Sequence, residues 1–129
     1  MIAADTNVWA RAYLNDDEAQ ARKARTAIEA ACSDGGVFVP LIVLAELFWV
    51  LKSKWKRERV LCTIERLLQT DGVVVESPTL AAKALEQSRV SATGFADLLI
   101  AQVSFAGGVS EVITFDKAFG RLSRVRRLG

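Results

Sequence analysis

The side chains best placed to do chemistry in this sequence are four acids: Asp5, Glu46, Asp97 and Asp116. Asp5 follows the apolar run Ile2 to Ala4 and Asp116 follows Val112-Ile113-Thr114, so each falls just past the end of a predicted strand. Either one alone reads as a helix N-cap, a position Asp often fills. Glu46 lies in LIVLAELFWVL, where its neighbours three and four residues away are Val43, Ile42, Trp49 and Val50. A carboxylate in such a segment needs a basic partner, a proton, a cation or a route to an edge, because a bare buried charge is strongly unfavourable. Asp97 stands in the first turn of GFADLLIAQVSFA, where the helix dipole favours an acid, and the helix after it is apolar apart from Gln102 and Ser104. All four offer hard oxygen ligands, the kind that Mg²⁺ and Mn²⁺ prefer. Such an ion acidifies its water and offsets charge on a phosphoryl oxygen, chemistry suited to phosphodiester hydrolysis. Taken alone, the residues lead as far as an acidic site for a divalent cation.

The rest of the composition narrows the choice. The chain has no histidine, which removes Ser-His-Asp and Cys-His nucleophilic sites, paired-imidazole RNA cleavage and His-bearing zinc sites. Cys32 and Cys62 are too few for a disulfide framework, and both are predicted to be small buried hydrophobes of a reduced protein. No G-x-x-x-x-G-K or G-x-G-x-x-G run is present, so the common nucleotide-binding loops are absent. A phosphoacceptor receiver or aspartyl phosphatase needs paired acids after the first strand, and Asp5 is followed by Thr6-Asn7 instead.

The elements that must position the acids can be read from the apolar pattern. The 129 residues fit one domain, with 51% apolar and 25% charged types, a net charge of +2 and a mean hydropathy of +0.22. The N-terminus, MIAADTN, is read as the start of folded structure with no leader. The longest apolar stretch, Val37 to Leu51, is shorter than a bilayer span, so a cytoplasmic protein without membrane attachment is expected. Short β-branched runs at Ile2 to Ala4, Val37 to Val39, Val73 to Val75, Val112 to Thr114 and Val125 to Leu128 read as strands. Helices are predicted over Val8 to Leu14, from Asp16 through ARKARTAIEAAC, and over Leu41 to Lys52. Others follow over Lys56 to Gln69, Ser77 to Arg89 and Phe95 to Ala106, with a helical turn at Asp116 to Phe119. Strands alternating with helices imply an α/β protein, a three-layer α/β/α sandwich on a parallel sheet of about five strands. Sites in such sheets form beyond the carboxyl ends of the strands.

With these residues in order, the chain resembles a PIN domain, and in particular the VapC-type toxins of toxin–antitoxin pairs. The resemblance runs over nearly the whole chain. It rests on Asp5-Thr6-Asn7-Val8 after the first strand and on Val39-Pro40 leading into Leu44-Ala45-Glu46-Leu47. It continues with Phe95-Ala96-Asp97-Leu98-Leu99-Ile100-Ala101 and ends with Ile113-Thr114-Phe115-Asp116-Lys117-Ala118-Phe119. The resemblance implies an endoribonuclease dependent on Mg²⁺ or Mn²⁺, with Asp5, Glu46, Asp97 and Asp116 as the catalytic and metal-binding acids. It also implies supporting roles for Asn7 and Thr114, and attack of activated water that leaves a 5′-phosphate and a 3′-hydroxyl. Some of these toxins carry a further acid just before the one matching Asp97. Here Gly94, Phe95 and Ala96 precede it, which leaves open whether one ion or two are bound.

Expected partners are an RNA substrate, a cognate antitoxin and a second copy of the chain in a homodimer. Lys52, Lys54, Lys56, Arg57 and Arg59 surround Trp55, and Lys52, Lys54, Lys56 and Arg57 are the candidate RNA contacts. A second basic run follows Lys117, with Arg121, Arg124, Arg126 and Arg127. Some of Trp9, Tyr13, Phe48 and Trp49 are expected to meet a partner chain. The competing readings are a non-catalytic RNA- or protein-binding module on the same fold, and an RNA-processing nuclease outside a toxin–antitoxin pair.

Overall fold

A computed structural model describes all residues, Met1–Gly129. The chain divides into two compact units, Met1–Pro78 and Thr79–Gly129. The first unit holds β1 (Ile2–Ala3), α1 (Thr6–Leu14), α2 (Glu18–Ser33), β2 (Val37–Val39), α3 (Leu41–Lys52), α4 (Arg57–Gln69) and β3 (Val73–Val75). The second holds α5 (Pro78–Arg89), α6 (Phe95–Ala106), β4 (Val112–Thr114), a 3₁₀ turn at Phe119–Arg121 and β5 (Val125–Arg127). Every expected strand and longer helix is present, while the helical turn expected at Asp116 to Phe119 lies later, at Phe119–Arg121. All strand pairs are parallel, hydrogen-bonded as a three-stranded ladder β1-β2-β3 and a two-stranded ladder β4-β5.

In the first unit β2 lies between the other two strands; Val37 and Val39 on one face are fully buried and Phe38 on the other is partly buried. Leu44, Leu47 and Leu51 of α3, with Val60, Ile64 and Leu67 of α4, recur at three- and four-residue spacing and are buried. Helix α1 ends at Asn15, which takes a left-handed conformation (φ 56°). Gly72 has φ +88°, and a Cβ on it would run into the backbone and side chain of Cys32. That glycine lets its carbonyl accept from Val37 N at 2.8 Å and join the start of β2 to β3. In the second unit, Ala101, Phe119 and Val125 form a buried cluster packed by Phe105, Val112 and Leu122.

One expectation about individual side chains is overturned. Cys32 is only half-buried and Cys62 is exposed, because Cys62 lies on the outer face of α4 while Leu61 and Ile64 turn inward. Trp9 and Phe48 belong to the core of the chain: Trp9 is 3% exposed and stacks on Tyr13, with ring centroids 6.3 Å apart. Trp9 Nε1 is buried without a hydrogen-bond partner. Burial, with a smaller contribution from Cys32, pushes the Tyr13 hydroxyl up to about 12. Of the four aromatic residues, Trp49 is the exposed one.

Candidate active site

The first unit positions two of the four acids. Asp5 follows β1 and is the N-cap of α1, its Oδ1 accepting from Val8 N at 3.1 Å. The cap reading therefore holds, and Oδ2 takes no hydrogen bond from the chain. Helix α3 begins one residue after β2, so its start also lies beyond a strand's carboxyl end. Five residues further on, Glu46 is exposed, not enclosed by apolar neighbours as its segment suggested. Helix α3 buries Val43, Leu44, Leu47, Phe48 and Leu51 and turns Ile42, Glu46 and Trp49 outward. The near-absence of polar residues hid which face was which. Glu46 Oε1 accepts from Thr6 Oγ1 at 2.9 Å, which ties α3 to the residue next to Asp5. Thr6 is the contact that the sequence reading missed; its one signal is its place inside Asp5-Thr6-Asn7. Asn7, expected to support the acids, is exposed and its side chain makes no hydrogen bond within the chain.

The second unit positions the other two. Asp97 occupies the first turn of α6, half-buried, after Gly94 at the N-cap, which offers no capping side chain. Burial first, and then the charge of Asp116, holds the Asp97 carboxyl above the usual carboxylate range. Asp116 lies two residues beyond β4, and its Oδ2 accepts from Phe119 N at 2.7 Å. Its own N–H donates to Thr114 Oγ1 at 3.0 Å, so Thr114 supports the loop that carries it. None of the four acids is in an ion pair. Nowhere are three or more acidic or cysteine side chains drawn into a single metal-ligand group. The donor chemistry, carboxylate oxygens with no imidazole, fits Mg²⁺ or Mn²⁺ rather than zinc.

Among the candidate RNA contacts, Lys52, Lys54 and Lys56 are exposed and Arg57 is half-buried. The Arg59 guanidinium sits 3.8 Å from the Trp55 ring centroid, so one face of that ring is already stacked. In the C-terminal basic run, Arg124 donates to Val109 O at 2.7 Å, and Arg126 pairs with Glu111 at 2.9 Å. Those two arginines hold their own unit together.

The chain matches the PIN domain model over residues 2–125, a span that includes all four acids, and it belongs to the PIN-domain family. No curated protein and no solved structure matches it. The α/β class with parallel strands is that family's fold. PIN domains are generally nucleases, and they usually use Mg²⁺ or Mn²⁺. No helix of the chain is long and apolar enough to cross a membrane.

Proposed function

We propose that this chain is a Mg²⁺- or Mn²⁺-dependent endoribonuclease and the toxin of a type II toxin–antitoxin pair. The observation that carries the reading is that Asp5, Glu46, Asp97 and Asp116 all lack a basic partner, while burial, and after it the charge of Asp116, raises the proton affinity of Asp97. Asp97 and Asp116, like-charged, interacting and without a cation of the chain, are a place for an external one. By the resemblance to PIN-domain nucleases the four acids would hold it, as one ion or two, and when bound it supplies an acidified water and offsets charge on the phosphoryl oxygen.

The chain's own residues set the geometry for that chemistry. Thr6 donates to one oxygen of Glu46 and leaves the other free. Asp5 gives one oxygen to its cap and keeps one for the site. Thr114 and the Phe119 N–H fix the Asp116 loop. Water attack on phosphorus expels the 3′ oxygen, leaving a 5′-phosphate and a 3′-hydroxyl. The toxin role, with a cognate antitoxin, a homodimer and a cytoplasmic setting, rests on the resemblance of the four acidic segments to VapC-type chains.

The test is incubation of total RNA with the purified protein and Mg²⁺ or Mn²⁺, with EDTA, and with Asp5→Asn and Glu46→Gln variants. Discrete metal-dependent cuts, lost in both folded variants, are expected. Equal cutting by the variants, or none by the folded and partner-free wild type, would make these acids structural and favour a binding module.

A further inference from the structure

A cleft of about 530 Å³ runs between α1 and α2 and opens at the first of the four acids. Asp5 and Asn7 line one side. Gln20, Lys23, Ala24 and Ala27 line the other, at the spacing of a single helix face. Ala24, buried, and Ala27, exposed, are the small residues of that wall, so neither extends a long side chain into the cleft. Its volume is in the range that encloses a small ligand, such as one nucleotide of a strand.

The cations around the cleft are not equivalent. Arg11 pairs with Asp16 at 3.0 Å, Arg22 pairs with Glu18 at 3.6 Å, and Arg25 donates to Asn15 at 2.8 Å. Lys23 has no such partner, is exposed, and lines the same cleft as Asp5. A carboxylate repels the phosphodiester it must approach, so a neighbouring free cation and neutral amides are what a strand needs there.

We propose that this cleft binds a nucleotide of the RNA strand adjacent to the scissile phosphate, with Lys23 contacting its phosphate and Gln20 and Asn7 offering amide hydrogen bonds. The inference rests on the nuclease reading above and adds where the strand enters. Lys23 is a positioning residue, since it touches the substrate away from the reacting atoms. Filling the cleft through Ala27→Leu, a change that helices tolerate, is expected to exclude the nucleotide without removing any charge.

The experiment measures binding of a short fluorescein-labelled single-stranded RNA in EDTA over a salt series, and KM and kcat for the same RNA in Mn²⁺. The proteins compared are wild type, Lys23→Gln, Lys23→Arg and Ala27→Leu. Lys23→Gln should weaken binding by roughly three- to tenfold and flatten the slope of log affinity against log salt by about 0.7, one phosphate contact's share. It should raise KM by more than it lowers kcat, with Lys23→Arg restoring both slope and KM. Ala27→Leu should weaken binding with the salt slope kept. If the wild type cleaves but Lys23→Gln and Ala27→Leu leave slope and KM unchanged, the cleft proposal falls and the nuclease reading stands. If the wild type binds in a Lys23-dependent way yet never cleaves, the nuclease reading falls and the cleft stands as an RNA site. Absence of RNA binding by the folded wild type overturns both.

Discussion

Asp97 carries a conflict between stability and chemistry that can be measured. Burial and the charge of Asp116 raise its folded-state pKa above the ordinary 3.8. Below 3.8 the side chain is neutral in both states and contributes no difference. As pH rises from there through the folded-state pKa, the unfolded chain loses its proton first, so stability falls and stays lower at neutral pH. Asp97→Asn keeps a neutral side chain throughout. Thermal unfolding in EDTA should therefore show the variant melting above wild type at pH 7, with the advantage shrinking as pH approaches the ordinary Asp value. Added Mn²⁺ should raise the melting temperature of wild type more than that of the variant, because ligand that binds only the folded state stabilises it. A variant that melts below wild type at pH 7 would mean that the Asp97 carboxylate is held by contacts and is not repelled. The placement of Asp5, Asp97 and Asp116 was legible in sequence, because each follows directly from a strand end or a first turn. The exposure of Glu46 and Cys62 was not, since apolar neighbours along a helix do not say which side faces the core.

At the scale of elements, α3 shows what local pattern reading reaches and where it stops. Its limits were visible in Pro40 and in the long apolar run, and the structure starts it at Leu41. Its N-cap is Pro40, which offers no side-chain acceptor, and the first helical N–H is satisfied from elsewhere. Glu76, just after β3, accepts from Leu41 N at 2.9 Å, and its negative charge complements the helix dipole. That partner is distant in sequence, so no window along the chain reveals it. The same holds for the division of five strands into two hydrogen-bonded ladders, which depends on register and not on composition. Glu76→Ala should lower stability by about 1 kcal/mol, the ordinary worth of a helix cap, read from urea denaturation midpoints. Glu76→Gln keeps an acceptor and should recover part of that loss. Since α3 carries Glu46, a loosened start should also weaken metal-dependent cleavage in Glu76→Ala. An unchanged denaturation midpoint would show that water serves Leu41 N as well as Glu76 does.

For the whole molecule, the question is what its exposed apolar surface meets. The mean hydropathy of +0.22 is high for so small a chain, and Ile42 and Trp49 are 68% and 56% exposed on α3. Trp49 is braced edge-on against the buried Phe48, with ring centroids 5.3 Å apart at 74°, which holds the indole outward as a fixed platform. A rigid aromatic residue of this kind anchors many protein interfaces. The proposed homodimer therefore predicts a light-scattering mass of twice 14.1 kDa for the partner-free protein. Trp49→Glu should shift that mass toward the monomer with helix content unchanged, because an exposed substitution leaves the core of α3 intact. Phe48→Ala would give a less direct answer, since removing a buried phenyl lowers stability by roughly 3–5 kcal/mol whether or not a partner is present. A wild-type monomer mass would remove the homodimer, and an unchanged dimer in folded Trp49→Glu would move the contact away from α3.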